Sequence, residues 1–357
     1  MSNSDTAPVA FFAFNRPTHT RLTLAALTAN ELATYTDLHI FCDAPRTKTD
    51  EKAVEQVREI CRNATGFASV CVHERSVNQG LANSLFAGLD FMFEKYERVI
   101  VFEDDILASP KTLRFLNTCL TRYQSEPVVF SISAWSPDPK KMDFPDDYPW
   151  DVYFIPRFHC WGWASWKDRW RSVDRNVLTA PAIFDNPHAL RVYSQSGKDM
   201  PGMLRLVLSG ELDTWDIQTD FARFAHGRLG VNPLHAYTEN IGFDAAGTHT
   251  TCAIPRFAVD TSLAPAIAKL PEYIFVDDVI IDKYKNFFSG SDDDSSEDNK
   301  TQLLYINNRI DDIRDRVYAN EVELTNQVEA LRQQLNTLRW KLRHPIQWFF
   351  RKLFFKW

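Results

Sequence analysis

Three adjacent acidic residues follow a short apolar run in the first third of the chain. Residues 98–102 read Arg-Val-Ile-Val-Phe and continue directly into Glu103, Asp104 and Asp105. An apolar strand gains nothing from ending in three carboxylates that repel one another, but a divalent cation removes that repulsion. Mg²⁺ and Mn²⁺ prefer such oxygen ligands and keep positions for phosphate oxygens. The pattern favours a metal site, and an acidic turn before a helix after Pro110 is the alternative.

The elements that must position these carboxylates are short apolar strands that alternate with helical segments. Strands are predicted at 9–14, 38–42, 69–73 and 98–102, and helices at 18–32, 50–64 and 81–95. Strands separated by helices of this length predict an α/β fold, with a mostly parallel sheet and helices on both faces. Ligands of such sheets bind beyond the carboxyl ends of the strands. That edge is predicted to carry Asn15, Asp43, Asn78 and Asp105.

The overall composition is that of a large globular domain. Of 357 residues, 45% are hydrophobic, and the formal net charge is −7. An acidic balance argues against general nucleic-acid binding. The six cysteines are scattered without a CxxC pair, so we expect reduced thiols and neither a zinc site nor a disulfide framework. The first residues are not typical of a signal peptide, and no apolar run is long enough to span a bilayer, which predicts a cytoplasmic protein.

The acidic triplet resembles the metal-binding motif of glycosyltransferases with the Rossmann-like GT-A fold. Its Glu-Asp-Asp form is similar to that of the N-acetylglucosaminyltransferase that initiates complex N-glycans, and to that of related bacterial nucleotide-diphospho-sugar transferases. The resemblance implies that Asp105 binds Mn²⁺ or Mg²⁺. It also implies that Glu103 and Asp104 lie near the ribose and the sugar of the donor.

Other donor contacts are expected along the same edge of the sheet. Residues 11–17 resemble the first strand and following turn of the family, which implies donor contacts from Asn15 and Arg16. The resemblance implies that Asp43 is the family's acid close to the base, and Asn78 on the same edge is a further candidate for donor binding.

An aromatic stretch, His-Cys-Trp-Gly-Trp-Ala-Ser-Trp, resembles the acceptor side of the family's cleft. Trp161 and Trp163 could stack on sugar faces. Gly162 between them would allow a ligand to approach the backbone closely. Core packing is the alternative for these rings, and it is our expectation for Trp166 and Trp170.

The Trp-Asp-Ile-Gln segment that begins at Trp215 resembles the motif that supplies the family's catalytic base. An inverting transfer needs a carboxylate to take the proton of the acceptor hydroxyl as that oxygen attacks the anomeric carbon. We assign this role to Asp216, although Glu211, Asp213 and Asp220 are close enough in sequence to be confused with it. The alternative is a solvated helix start, where the helix dipole favours acids.

Residues 240–250 resemble the loop that closes the family's domain. His249 in this loop could contact phosphate or metal, but a lone loop histidine is more often merely hydrogen-bonded. The resemblance covers residues 7–255, and the transferase domain is predicted at 1–285.

The rest of the chain changes character. Residues 286–300 read as an acidic flexible linker. Residues 301–338 carry apolar positions alternately three and four apart. This seam predicts a coiled coil of about 60 Å and a homo-oligomer. A different protein with a matching seam, or a helix packed on the catalytic domain, would be consistent with the same pattern.

Residues 339–357 contain six Lys or Arg, seven Phe or Trp and no acid. This composition is typical of a helix that lies in an anionic membrane surface. Packing into a protein groove is the alternative. We call residues 339–357 the basic tail.

The resemblance implies an inverting hexosyl- or N-acetylhexosaminyltransferase that uses a nucleotide-sugar, with uridine as the nucleoside. The acceptor would be a glycan or lipid-linked precursor of a bacterial surface polysaccharide or lipopolysaccharide, at the inner face of the cytoplasmic membrane. A sugar nucleotidyltransferase is disfavoured because the turn at 15–20 lacks the glycines of a triphosphate loop. A membrane-associated scaffold with a vestigial nucleotide-sugar domain is the remaining alternative.

Overall fold

The computed structural model describes residues 6–243 and 255–288, together with Arg332. The chain divides into two compact units, 1–303 and 304–357, and both described ranges lie in the first. The predicted coiled coil apart from Arg332, the basic tail, most of the predicted linker and His249 lie outside the described residues.

The described part contains one large sheet, one small sheet and helices. The strands are β1 (Val9–Ala13), β2 (Asp37–Cys42), β3 (Ser69–Glu74), β4 (Arg98–Glu103), β5 (Ile106–Ala108), β6 (Val129–Ser133), β7 (Val152–Ile155), β8 (Trp163–Trp166), β9 (Leu229–Pro233) and β10 (Thr238–Asn240). The helices are α1 (Pro17–Thr28), α2 (Glu51–Arg62), α3 (Leu81–Lys95), α4 (Thr112–Tyr123), α5 (Lys167–Trp170), α6 (Pro187–Tyr193), α7 (Met200–Ser209), α8 (Asp216–Ala225) and α9 (Asp278–Phe287). Short 3₁₀ helices span Ala33–Tyr35, Ala180–Ile183, Ser194–Ser196, Pro255–Phe257 and Thr261–Leu263.

The large sheet has eight strands in the order β3-β2-β1-β4-β8-β6-β9-β7. Its first four strands are parallel, as predicted. Beyond β4 the sheet is mixed: β8 runs antiparallel to β4 and β6, and β7 runs antiparallel to β9.

Helices cover both faces of the parallel half, as predicted. β1 is buried along its whole length, and its successive side chains point to opposite faces. Phe11 packs in one cluster with Leu27 of α1 and Val57 of α2. Phe12 packs in the other cluster with Leu89 of α3. The continuous apolar run of β1 is therefore the consequence of a strand with no solvent-facing side.

Helix α9 crosses the predicted boundary between the transferase domain and the linker. We expected the linker to begin at residue 286, but α9 continues to Phe287. Tyr284 and the following Phe288 are buried in a cluster with Tyr153 of β7, so this helix gains stability from packing against the sheet. Among the described residues, no helix is both long and apolar enough to cross a membrane.

Candidate active site at the carboxyl edge of the sheet

The acidic triplet lies where β4 ends beside β1. The parallel register pairs Phe12 with Glu103, so the turn after β1 faces Asp104 and Asp105. Arg16 in that turn uses one nitrogen, Nη2, for both aspartates. It donates to Oδ1 of Asp104 at 2.5 Å and to Oδ2 of Asp105 at 2.9 Å. The sheet register thus joins residues from two distant segments into one charged cluster.

Burial and mutual repulsion dominate the electrostatics of this cluster. Burial raises the pKa of Glu103 well above its usual range, and the negative charges of Asp105, Asp104 and Asp216 raise it further. Burial also raises the pKa of Asp104, although the Arg16 guanidinium opposes that shift. Burial alone would lower the pKa of Arg16, but the two aspartates outweigh it and raise that pKa. The triplet is therefore short of positive charge even with Arg16 in place.

Asp216 comes to this cluster from a separate part of the chain. It is the first residue of α8 and is half-buried. Its charge raises the pKa of Glu103. Burial raises the pKa of the Cys160 thiol, and the charges of Asp216, Glu103 and Asp105 raise it further. The start of α8, the end of β4 and the loop before β8 therefore meet in one site.

Burial raises the pKa of Asp216 itself, while a hydrogen bond from the Thr214 hydroxyl and the charge of Arg157 oppose the shift. A raised pKa makes the ionised carboxylate a stronger base. This is the property that acceptance of a hydroxyl proton requires.

The neighbouring acids are distinguished by their surroundings. Glu211 and Asp213 are exposed. Asp220 is buried, and it accepts hydrogen bonds from Nε of Arg223 at 2.9 Å and from the backbone N of Phe158 at 2.7 Å. Asp220 therefore has a structural role, and Asp216 is the acid of this group whose charge acts on the triplet.

Asp43 and Asn78 contact each other at the ends of β2 and β3. Asp43 is buried and accepts from Nδ2 of Asn78 and from the backbone N of Gln79, each at 3.1 Å. These bonds hold the two loops together. Asn15 instead donates to Oδ1 of Asp50 at 2.9 Å, before α2. All three residues lie on the expected edge, and their contact with a donor stays a prediction.

The tryptophans of the aromatic stretch have different surroundings. Trp163 is completely buried and stacks on Trp215, with ring centroids 5.6 Å apart. It packs in the core, in contrast to the sugar stacking expected from sequence, because its place on β8 points it under α3 and α5. Trp166 and Trp170 are buried as well, as expected. Trp161 is half-buried and packs edge-on against Phe243 at 5.3 Å.

Gly162 has a positive φ of 77°. A Cβ there would lie 2.9 Å from Cγ2 of Thr238 and 3.1 Å from Cε1 of Phe102. The glycine is required by close packing against β4 and β10. We had expected it to admit a ligand, and the structure gives internal packing as the reason instead.

The segment after β10 closes over the triplet. The backbone N of Ile241 donates to the carbonyl of Asp105 at 2.9 Å. A Cβ on Gly242 would lie 2.9 Å from Cγ of Asp105, and its Oδ2 would be closer still. Gly242 therefore leaves the space that the Asp105 carboxylate fills. His249, further along this loop, lies outside the described residues.

The triplet fits a divalent metal ion by its donor chemistry. The side chains of Asp104 and Asp105 are 6% and 17% exposed, so Asp105 is the more accessible ligand. Burial raises the pKa of Glu103 and Asp104, and the charge of Asp105 raises both further. Hard cations such as Mg²⁺ and Mn²⁺ bind such carboxylate sets.

Two residues of the site were not found by sequence reasoning. Cys160 is near enough to Asp216, Glu103 and Asp105 for their charges to raise the pKa of its thiol, after burial. Its place beside Trp161 was the available signal. Thr23 of α1 donates its hydroxyl to the carbonyl of Asp104 at 2.8 Å, which fixes the backbone of the triplet. No motif indicates such a contact.

Comparison with known proteins gives partial structural similarities. No protein-family model and no curated protein matches the chain. Among solved structures, the chain is similar to the mannosyltransferase PcManGT from Pyrobaculum calidifontis, determined with GDP-Man and Mn²⁺. The identity is 15% over 47% of this chain and 46% of that one, less than half its length, with a TM-score of 0.31.

The galactosyltransferase LgtC, determined with donor and acceptor sugar analogues, is also similar. The identity is 12% over 62% of this chain and 72% of that one, with a TM-score of 0.33. An active-site mutant of LgtC matches at 11% identity over 50% and 64%, with a TM-score of 0.31. These proteins are of the enzyme class that the sequence resembles. At these scores the similarities carry no argument about function. The function is argued from the residues of the site.

Proposed function

We propose that this chain is a metal-dependent glycosyltransferase that moves a sugar from a nucleotide-sugar to an acceptor hydroxyl with inversion. The observation that carries the proposal is that Asp216 is close enough to the triplet for its charge to raise the pKa of Glu103. One carboxylate set can hold a metal on a diphosphate, and a separate carboxylate with a raised pKa can act as base. An inverting transfer needs both.

In the proposed reaction the triplet and Asp216 have different roles. Asp105, with Asp104 and Glu103 beside it, would hold Mn²⁺ or Mg²⁺, which neutralises charge on the leaving diphosphate. Asp216 takes the proton of the acceptor hydroxyl as that oxygen bonds to the anomeric carbon. The bond from that carbon to the diphosphate breaks, and the nucleoside diphosphate leaves. Arg16, already bonded to Asp104 and Asp105, is placed to meet phosphate oxygens at the same edge.

Substrate identity is proposed from the sequence. The resemblance of the triplet supports a UDP-sugar with a hexosyl or N-acetylhexosaminyl group. The aromatic and basic composition of the basic tail supports an anionic membrane surface and a lipid-linked or glycan acceptor of bacterial surface polysaccharide or lipopolysaccharide synthesis. The seam at 301–338 supports a homo-oligomer.

The test is release of nucleoside diphosphate from a panel of nucleotide-sugars. Many glycosyltransferases hydrolyse their donor slowly without an acceptor, so the assay does not require the acceptor. We expect release from one donor with Mn²⁺, loss of release with EDTA, and loss with Asp105→Asn. Asp213→Asn is the matched control, because Asp213 is an exposed acid near Asp216 in sequence, and it should retain release.

Two outcomes would contradict the proposal. Donor binding without turnover, across many acceptors, would favour the non-catalytic scaffold. Formation of a nucleotide-sugar from a sugar phosphate and a nucleoside triphosphate would favour a nucleotidyltransferase.

The membrane proposal has its own test. Removal of residues 339–357 should release the protein from anionic vesicles, and donor hydrolysis should persist. Unchanged co-sedimentation of the truncated chain would contradict it.

A further inference from the structure

A second cluster of metal-ligating side chains lies on β2 and β3, at the edge of the large sheet. The donor atoms of His39, Cys71 and His73 all lie within 4.8 Å of one another. The parallel register explains the meeting: His39 pairs with Cys71, and Phe41 pairs with His73. Residues paired in this way share a face of the sheet, so the three side chains point to the same side.

The nearest nitrogens of the two imidazoles are about as far apart as two nitrogen ligands of one metal ion. Nδ1 of His39 and Nε2 of His73 are 3.2 Å apart. Zn–N bonds of 2.0–2.1 Å at a tetrahedral angle separate two nitrogens by about 3.3 Å. A thiolate on the same ion lies about 3.6 Å from each nitrogen, so Sγ of Cys71 needs to approach by no more than about 1.2 Å.

The outer contacts also suit a metal ligand. Nε2 of His39, the nitrogen that faces away from His73, lies 2.9 Å from the Tyr96 hydroxyl. A metal-binding histidine usually gives its second N–H to such an acceptor, which fixes the tautomer and the ring.

Access to the cluster is open from one side. Cys71 is exposed, His73 is half-buried and His39 is buried. Phe91 of α3 covers the rings, with its centroid 4.8 Å from that of His73. An ion would thus have three protein ligands and a water position on the exposed side.

We propose that His39, Cys71 and His73 form a Zn²⁺ site that links the edge strand β3 to β2. One thiolate with two imidazoles is a ligand set that suits zinc and is poorly matched to Mg²⁺ or Mn²⁺. The site is distinct from the acidic triplet in both ligands and strands. Cysteine spacing did not indicate it, because its ligands are joined by strand register and not by a CxxC pair.

The test is a titration of the full chain, reduced and metal-free, with Zn²⁺ in excess Mg²⁺ to occupy the carboxylates. We expect one equivalent to bind and Tm to rise. Co²⁺ in place of Zn²⁺ should give a thiolate-to-metal charge-transfer band. Cys71→Ser should abolish that band, and His73→Gln should weaken Zn²⁺ binding by more than about 100-fold. Tyr96→Phe should weaken it by about 10–100-fold.

Two controls separate this site from others. His188→Gln removes an exposed histidine on α6 and should leave Zn²⁺ affinity unchanged, as should Asp105→Asn. Circular dichroism of each variant in chelator verifies folding. If no Zn²⁺ binds, or if Cys71→Ser and His73→Gln bind it as the wild type does, the cluster is only a hydrogen-bonded histidine pair and the proposal is wrong.

Discussion

A single methyl group at Gly242 should disable the proposed metal site without unfolding the protein. The φ angle of Gly242 is not in the left-handed region, so alanine is compatible with the backbone. The added Cβ would meet the Asp105 carboxylate, with Cγ at 2.9 Å. Gly242→Ala therefore tests whether the position of Asp105 controls activity.

The expected loss of rate in Gly242→Ala follows from the distances between the added Cβ and its neighbours. Two carbon atoms prefer a separation of about 3.5–4.0 Å, so the carboxylate must retreat by roughly 0.6–1.1 Å. The other side offers little relief, because Oδ1 of Asn240 would lie 3.1 Å from the same Cβ. A displacement of about 1 Å at a catalytic centre costs on the order of 100-fold in rate. That factor corresponds to about 2.7 kcal/mol of transition-state stabilisation.

The assay is Mn²⁺-dependent donor hydrolysis, measured with calorimetric Mn²⁺ affinity and urea unfolding of the same samples. Gly202→Ala is the matched control, because a Cβ at Gly202 would meet no atom within 4 Å. It lies in α7, where alanine should stabilise by about 0.5–1 kcal/mol. We expect normal hydrolysis from Gly202→Ala and about 100-fold less from Gly242→Ala. Activity of Gly242→Ala within about twofold of wild type, at unchanged Mn²⁺ affinity, would refute the role given to Asp105.

Three further predictions concern the base, the guanidinium and the core. Asp216→Asn should lower turnover by about 10²–10⁴-fold at unchanged donor affinity. Because burial raises the pKa of Asp216, the wild-type rate should rise with pH through an ionisation above the usual aspartate range. Arg16→Ala should destabilise the metal-free protein by about 3–5 kcal/mol in urea unfolding, because buried carboxylates lose their cation. Gly88→Ala should destabilise by about 1–3 kcal/mol at unchanged Mn²⁺ affinity, since its Cβ would lie 2.5 Å from Cε1 of Phe12.

The pH dependence of stability has the opposite sign to that of the rate. The folded state holds the Asp216 proton more tightly than the unfolded chain does. This contribution is complete below the usual aspartate pKa and is lost as pH rises through the raised pKa. Asp216→Asn should remove that loss, so its Tm should fall less between acid and neutral pH.

For each of these predictions, one experimental result would contradict it. A wild-type pH–rate limb that persists in Asp216→Asn would assign the base to another group. An Arg16→Ala protein as stable as wild type would mean that the two aspartates do not depend on it. Unchanged stability of Gly88→Ala would mean that α3 can move away from β1.

The parallel half of the fold could be predicted because its signals are local. Buried strands such as Val9–Ala13 are continuous apolar runs, and their polar successors must meet at one edge of the sheet. The mixed half could not be predicted in the same way, because the antiparallel place of β8 depends on pairing with strands distant in sequence. Trp163 illustrates the difference: its residue type suggested a ligand contact, but its strand position buries it.

The site was predictable in its residues more than in their contacts. The triplet was indicated by its residue types after an apolar strand, and Asp216 by the resemblance of its segment to a family motif. In the structure the charge of Asp216 acts on Glu103. The pairing of Arg16 with Asp104 and the closeness of Gly242 to Asp105 depend on chain segments that approach only in the folded state. Cys71 and His73 are two residues apart on one strand, a spacing that by itself predicts no metal site. The strand register then places His39 beside them.

The Arg16 bridge makes metal binding at the triplet an exchange of counterions. The guanidinium already neutralises part of the negative charge of Asp104 and Asp105. A metal ion that binds there must therefore compete with the Arg16 side chain, which is a covalent part of the protein. The free energy of metal binding is therefore less favourable than the carboxylate charge alone suggests. A diphosphate changes the balance, because it offers the displaced guanidinium new oxygen partners. Metal and donor should therefore enter as a pair, with each raising the affinity of the other by the same factor.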